Sequence, residues 1–172
     1  MGIASLLAGA VGTVVSVRVA LQTGSLWWLI AAAPWAVALA RCAVTDAATQ
    51  RVPTGTVRAA GVVVLVALTS VAIALADYKP LVLGLFGSTA AFGILALGWR
   101  YADVGRGDVR MAALGGLGLG TATARGLTIG VIAFALIAGA HAAVTYVRTR
   151  DRKARVPLGP ALAVGFFAAA TL

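Results

Sequence analysis

Seven apolar runs, joined by short polar segments, occupy almost the whole chain. They cover roughly residues 3–21, 25–44, 59–76, 80–98, 108–123, 126–147 and 157–172. A helix that crosses the hydrocarbon core of a bilayer needs about 20 apolar residues, and most of the runs approach that length. The 172 residues are 61% hydrophobic and only 11% charged, a composition that a water-exposed surface does not tolerate. We therefore predict an all-α fold, a polytopic integral membrane helical bundle with about 6–7 transmembrane helices.

Basic residues indicate how this bundle lies in the membrane. The net charge is +9, and most of the 14 Lys and Arg residues fall in the polar segments 41–58, 99–110 and 148–155. These residues are Arg41, Arg51, Arg58, Arg100, Arg106, Arg110, Arg148, Arg150, Arg152, Lys153 and Arg155. Because cytoplasmic loops are enriched in Lys and Arg, we predict that the three segments and the N-terminus face the cytoplasm, in the inner (cytoplasmic) membrane. The charge then suits anionic membrane lipid, and no nucleic-acid partner is expected.

Aspartates provide the acidic groups that could carry chemistry. All five acidic residues are Asp, and three of them lie in polar segments where we expect solvated loop charges: Asp77, Asp103 and Asp151. Asp46 ends the second apolar run and Asp108 begins the fifth, so the predicted topology brings both to the same depth. An ionisable group at that depth is costly without a partner, which makes it a functional candidate. The alternative is that each carboxylate reaches the interface or pairs with Arg51 or Arg110.

Glycines around Asp108 favour the functional interpretation. Gly105 and Gly107 precede it and permit backbone geometry that other residues disfavour. Gly116 and Gly120, four residues apart, allow close packing against a neighbouring helix. If that neighbour is the second helix, Asp46 and Asp108 face each other. Two carboxylates that close share one proton, and one group can act as general base on a water while the other acts as acid.

Other reactive side chains give weaker signals. His141 lies alone in the sixth apolar run, where an interhelical hydrogen bond is the expected role. Cys42 is the single cysteine, which excludes an internal disulfide and a zinc site built on cysteines. The chain contains no Walker loop, no GxGxxG and no HExxH motif. We expect no metal and no cofactor.

Three motifs in order resemble a known family, the type IV prepilin peptidases and their preflagellin relatives. Gly105-Arg106-Gly107-Asp108 matches the GxGD motif of these membrane aspartyl proteases, and VRMAALGGLGLG after it is similar to the usual continuation, which includes Gly116 and Gly120. Asp46 is followed seven residues later by Pro53, as is typical of the first catalytic aspartate. RKARVPLGPALAVG, from Arg152, is similar to the basic loop that leads into the last helix, with Pro160 in place. The resemblance covers residues 40–172 and leaves 1–24 as an extra N-terminal helix in a single peptidase domain, 1–172.

What the resemblance implies is an aspartic endopeptidase, with Asp46 and Asp108 as catalytic residues, that removes the N-terminal leader of Flp-type or related prepilin-like precursors at the cytoplasmic membrane face. Two positions depart from the family pattern: Thr54 stands where Asn or Asp is usual, and Arg110 where Lys is usual. The insertion with paired CxxC motifs that accompanies N-methylation in larger members is absent, so no methyltransferase activity is expected. Alternatives are a presenilin-like intramembrane protease, because Pro160-Ala161-Leu162 matches its Pro-Ala-Leu sequence, and a non-enzymatic membrane scaffold or transporter subunit.

Overall fold

A computed structural model describes residues 2–101, 104–150 and 156–172. Within these ranges the fold is all-helical and contains no strand. The helices are α1 (Gly2–Thr23), α2 (Trp28–Thr49), α3 (Thr54–Leu75), α4 (Lys79–Tyr101), α5 (Arg106–Leu117), α6 (Ala124–Thr149) and α7 (Gly159–Thr171), with a 3₁₀ turn at Gly118–Thr121. Every predicted apolar run is a helix, and the predicted fold class, a helical membrane bundle, is confirmed.

Helix length separates the seven helices into two groups. Five of them, α1, α2, α3, α4 and α6, are long and apolar enough to cross a membrane. By contrast, α5 has 12 residues and α7 has 13, fewer than the roughly 20 that a span requires. The chain is therefore a multi-pass membrane protein in which two short helices pack among longer ones.

The short length of α5 has a local cause. The sequence suggests one helix over residues 108–123, but α5 ends at Leu117 and the chain continues as a 3₁₀ turn. This turn passes very close to the start of α4: a Cβ on Gly120 would overlap the carbonyl of Pro80. Glycine is also a poor helix former, so the glycines after Leu114 allow the α-helix to end and a 3₁₀ turn to follow where α4 lies close.

Packing places α2 at the centre of the bundle. It contacts α1, α3 and α7, while α4 packs mainly on α5 and α6 packs mainly on α7. The largest fully buried side chains are Trp35, Leu39, Met111, Val64 and Val71. Among the described residues, α4 buries only Gly84, and α6 buries only Gly126 and Gly130. Most of the large side chains of these two helices are exposed, as expected for helices bordered by lipid.

Contacts between distant joints fix which ends of the helices meet. Gly107, after α4, lies against Val52, between α2 and α3. Gly159, after α6, is hydrogen-bonded to Asp46 near the end of α2. The α2–α3 joint, the start of α5 and the start of α7 therefore meet at one end of the bundle. At the opposite end the side chain of Gln22 donates a hydrogen bond to the carbonyl of Thr171.

Candidate aspartyl site

Asp46 lies in the last turn of α2 and is only 4% exposed. Its Oδ2 accepts a hydrogen bond of 2.8 Å from the backbone N–H of Gly159, the first residue of α7. The first N–H groups of a helix have no partner within the helix and carry a partial positive charge. Asp46, on α2, therefore caps the N-terminus of α7. This contact stabilises the buried negative charge of Asp46, which the C-terminal end of α2 does not stabilise.

Asp108 lies in the first turn of α5 and is 9% exposed. The backbone N–H of Gly105 donates a hydrogen bond to its carboxylate. Its other oxygen, Oδ1, is buried and has no hydrogen-bond partner. A buried polar atom without a partner costs roughly 1–3 kcal/mol, so Oδ1 is available to a ligand or a water.

The two carboxylates influence each other although they come from distant parts of the chain. Asp108 lies on α5, outside the five helices long enough to cross the membrane. The pKa of Asp108 is raised to about 6, first by burial and then by the negative charge of Asp46, while the hydrogen bond from Gly105 lowers it. A carboxyl group with such a pKa keeps its proton in mildly acidic conditions while a neighbouring carboxylate is ionised. This is the arrangement that general acid and base catalysis by a carboxyl pair requires.

Gly105 and Gly107 are needed for close contact and not for unusual backbone angles. Gly105 has φ −65° and ψ 139°, which any residue adopts, and Gly24 is the one glycine with positive φ among the described residues. The predicted special backbone geometry was therefore wrong. A Cβ on Gly105 would lie 2.8 Å from Oδ2 of Asp108, and a Cβ on Gly107 would lie 2.8 Å from Cβ of Val52. The first would displace the carboxylate of Asp108, and the second would displace the α2–α3 joint.

Gly116 and Gly120 pack against α4, which the sequence did not indicate. A Cβ on Gly116 would overlap the backbone of Gly87, and one on Gly120 would overlap Pro80. The glycine pair therefore joins α5 to α4 and not to α2. Contact with α2 is made instead by Gly118, where a Cβ would overlap the ring of Trp35.

The remaining residues of the motifs hold the ends of helices around the two aspartates. Pro53 precedes the first residue of α3 in an extended conformation, and Pro160 lies in the first turn of α7, where its missing N–H costs nothing. Arg110 donates a hydrogen bond of 2.9 Å to Oγ1 of Thr54 and so connects α5 to α3. The two positions that depart from the family pattern thus contact each other, and Arg110 does not neutralise Asp108.

Two residues of this region were missed in the sequence. Trp35 is 2% exposed, and its Nε1 donates a hydrogen bond of 3.0 Å to the carbonyl of Leu114, which ties α2 to α5. Its isolation in an alanine-rich run was a usable signal, since a buried tryptophan needs an acceptor for its N–H. The bond between Gly159 and Asp46 had no local signal, because it joins residues at opposite ends of the predicted core.

The other acidic and reactive residues that the structure describes are Asp77, Cys42 and His141. Asp77 is exposed and its Oδ1 accepts a hydrogen bond from the N–H of Lys79, as expected of a loop charge. Asp103 and Asp151 lie outside the described residues. Cys42 is fully buried, one turn before Asp46. In the part of the chain that is described, no three His, Cys, Asp or Glu side chains are grouped as a metal site would require.

Comparisons with known proteins leave the family open. Searches against protein-family models, characterised proteins and solved structures gave no match to this chain.

Proposed function

We propose that this protein is a membrane aspartyl endopeptidase that removes the N-terminal leader of prepilin-like precursors. The observation that carries the proposal is the convergence of two buried aspartates, Asp46 and Asp108, at one end of a membrane bundle, with one oxygen of Asp108 free of any partner. The order of motifs, with GxGD at Gly105 to Asp108, supports a prepilin-type substrate.

The environments of the two carboxyl groups suggest different roles. Asp46 accepts the N–H of Gly159, which stabilises its charge, so Asp46 is the general base that takes a proton from the attacking water. The pKa of Asp108 is raised to about 6, so Asp108 retains a proton more readily than a solvated carboxyl group does, and we assign it as the general acid. The water attacks the carbonyl carbon, the peptide C–N bond breaks, and the leaving amine receives a proton. In the first step Asp46 takes a proton from the water and Asp108 gives its proton to the carbonyl oxygen, which leaves a neutral tetrahedral diol. In the second step Asp46 gives its proton to the leaving nitrogen and a hydroxyl of the diol returns a proton to Asp108, so both side chains end as they began.

The basic residues near this end of the bundle suggest on which side of the membrane the site lies. Asp46 and Asp108 lie at helix ends that adjoin arginine-containing joints in the sequence, and cytoplasmic loops are enriched in such residues, so we place the site at the cytoplasmic face of the inner membrane. A precursor whose hydrophobic helix lies in the bilayer beside the enzyme would then present its leader at that level. No cofactor takes part in this scheme.

Cleavage of a co-expressed Flp-type prepilin by single-site variants tests the proposal. Asn at position 46 still offers an oxygen to the N–H of Gly159, because Asn caps helices as well as Asp does. Asp46→Asn and Asp108→Asn should therefore fold and insert normally while cleavage falls by several orders of magnitude, about 10⁴-fold or more. Asp77→Asn is the matched control, since it makes the same chemical change at an exposed position and should leave cleavage intact.

The outcomes separate the proposal from its alternatives. Substantial processing by Asp46→Asn or Asp108→Asn would reject the dyad. No processing by the unmodified chain, together with normal insertion, would favour a scaffold or transporter subunit. Cleavage within the apolar helix of the precursor, and not after its leader, would indicate the presenilin-like alternative.

A further inference from the structure

Two buried side-chain atoms among the described residues have no hydrogen-bond partner: Oδ1 of Asp108 and Nδ1 of His141. The first belongs to the candidate site. The second lies on α6, a helix that otherwise carries apolar and small side chains through the membrane. A buried imidazole nitrogen without a partner lowers stability, so a role outside folding is required to explain it.

The packing of α6 on α7 gives His141 a position relative to that site. Gly126 lies against the carbonyl of Ala169, Gly130 against the carbonyl of Gly165, and Gly165 in turn against Phe134. The two helices are therefore antiparallel, and a step of four residues forward on α6 matches a step of four back on α7.

Continuing this register places His141 beside the beginning of α7. Gly165 lies between Gly130 and Phe134, so His141, about two helical turns beyond Phe134 on the same face of α6, reaches the level of the segment just before α7, whose last residue is Leu158. Leu158 is the residue before α7, and it is followed directly by Gly159, whose N–H binds Asp46.

Burial along α6 agrees with this placement. The partly buried positions in the second half of the helix form a stripe that continues the line from Gly130 and Phe134: Ile137, Ala138, His141 and Thr145. The intervening residues 139, 140 and 142–144 are exposed. His141 therefore faces the protein at the end of the bundle that holds the two aspartates.

We propose that His141 is a positioning residue that binds the peptide backbone of the segment to be cut, through a hydrogen bond at Nδ1. This inference rests on the proposed function. A peptide that enters a protease site in an extended form brings backbone N–H and C=O groups that have lost water and need partners. Of the polar atoms described around this end of the bundle, Oδ2 of Asp46 is already bonded to Gly159, and Oδ1 of Asp108 is reserved for the reacting water. Besides Oδ1 of Asp108, Nδ1 of His141 is the buried side-chain atom among the described residues that has no hydrogen-bond partner, and an imidazole nitrogen can accept or donate.

Binding to a protein that cannot cut isolates this role from the chemistry. The probe is a fluorescent Flp-type prepilin, added to the Asp108→Asn protein in lipid nanodiscs. His141→Leu, introduced into the Asp108→Asn protein, removes the ring nitrogens. We expect the Kd for the prepilin to rise about tenfold, the effect of one buried hydrogen bond. Adding His141→Gln keeps a polar group of similar reach and should restore the Kd to within about threefold. Ile137→Ala, on the same stripe, is the matched control and should leave the Kd unchanged within about twofold.

Kinetics in the cutting protein give an independent measurement. His141→Leu should raise KM about tenfold and change kcat less than about threefold, because the lost contact is made equally with substrate and transition state. If His141→Leu does not fold, His141→Phe, which keeps a planar ring, takes its place with the same expectation.

Failure of this inference can be told apart from failure of the proposed function. A chain that binds the prepilin but does not cut it refutes the proposed function, while the ratio of Kd values still decides the role of His141. An unchanged Kd for His141→Leu, an equal loss for Ile137→Ala, or no binding of the prepilin at all would overturn the inference.

Discussion

The backbone N–H of Gly159 and the carboxylate of Asp46 are joined by a hydrogen bond of 2.8 Å, although one residue begins α7 and the other lies near the end of α2. A Cβ on Gly159 would lie 2.7 Å from Oδ2 of Asp46 and 2.8 Å from its Cβ. Helix α7 can therefore approach Asp46 only because its first residue has no side chain.

The first prediction is that Gly159→Ala displaces Asp46 and lowers cleavage of a prepilin substrate by about 100-fold or more, since a shift of about 1 Å at a catalytic group has an effect of that size. Gly139→Ala is the matched control, because a Cβ on Gly139 meets nothing within 4 Å. Gel-shift assays of both variants at equal expression provide the measurement. Normal cleavage by Gly159→Ala would show that the contact does not position Asp46.

The pH dependence of stability tests the environment of Asp108. Burial, and then the charge of Asp46, raise its pKa from 3.8 to about 6, so the folded protein holds this proton more tightly than the unfolded chain does. The contribution of this carboxyl group to stability is therefore most favourable below about pH 4 and decreases as the pH rises to about 6. Asp108→Asn removes the ionisation, so the variant should have the higher Tm at about pH 7.5 and lose that advantage near pH 4. A Tm difference that does not change with pH would contradict the raised pKa.

Arg110 and Thr54 should be energetically coupled, because Arg110 donates a hydrogen bond of 2.9 Å to Thr54 across α5 and α3. Arg110→Met and Thr54→Val should each lower the free energy of unfolding by roughly 1 kcal/mol, and the double variant by less than the sum. Unfolding of all four proteins in mixed micelles closes the cycle. Strictly additive losses would mean that the bond contributes nothing.

Gly118→Ala should destabilise the bundle by about 1–3 kcal/mol, because its Cβ would overlap the ring of the buried Trp35. That ring is held by a hydrogen bond of 3.0 Å to Leu114 and by an edge contact with Phe167 at 5.7 Å, so it cannot move freely. Gly93→Ala is the control: its Cβ meets nothing within 4 Å, and alanine favours a helix. Equal Tm values for the two variants would show that Trp35 adapts.

The orientation in the membrane can be read by labelling cysteines in intact cells. The natural Cys42 is fully buried and should remain unlabelled. Cysteine in place of Arg150, at the end of α6, should react with an impermeant reagent only after the cells are permeabilised. Asp77→Cys, at the opposite end of the bundle, should react without permeabilisation. Ready labelling at position 150 in intact cells would reverse the predicted topology.

Sequence reasoning recovered the helices more completely than the contacts between them. The apolar runs predicted all seven helices, and the five long ones reach the length that a lipid bilayer imposes, whereas α5 and α7 do not. The end of α5 at Leu117 was missed, since it depends on how closely the turn at Gly120 approaches α4. Periodicity within one run does not reveal such an approach.

For the site, charge and position singled out Asp46 and Asp108, because acidic residues at the ends of membrane helices are rare enough to be informative. The partner helix of Gly116 and Gly120 was not determined by their spacing, which records that a neighbour is close but not which one. The cap that Asp46 provides for the N–H of Gly159 could not be predicted at all. The donor is a backbone N–H, which every residue except proline has, so the sequence does not mark Gly159 as the partner of Asp46.

The contacts of α4 and α6 reverse the usual relation between side-chain size and sensitivity to mutation. These helices meet the rest of the bundle through Gly84, Gly87, Gly126 and Gly130, while large residues such as Phe86 and Leu136 face outwards. A saturation library of these helices should therefore show that bulky positions accept many apolar replacements, whereas the four glycines reject even alanine. Among relatives that diverge in sequence, we therefore expect these four glycines to be retained while the bulky positions vary.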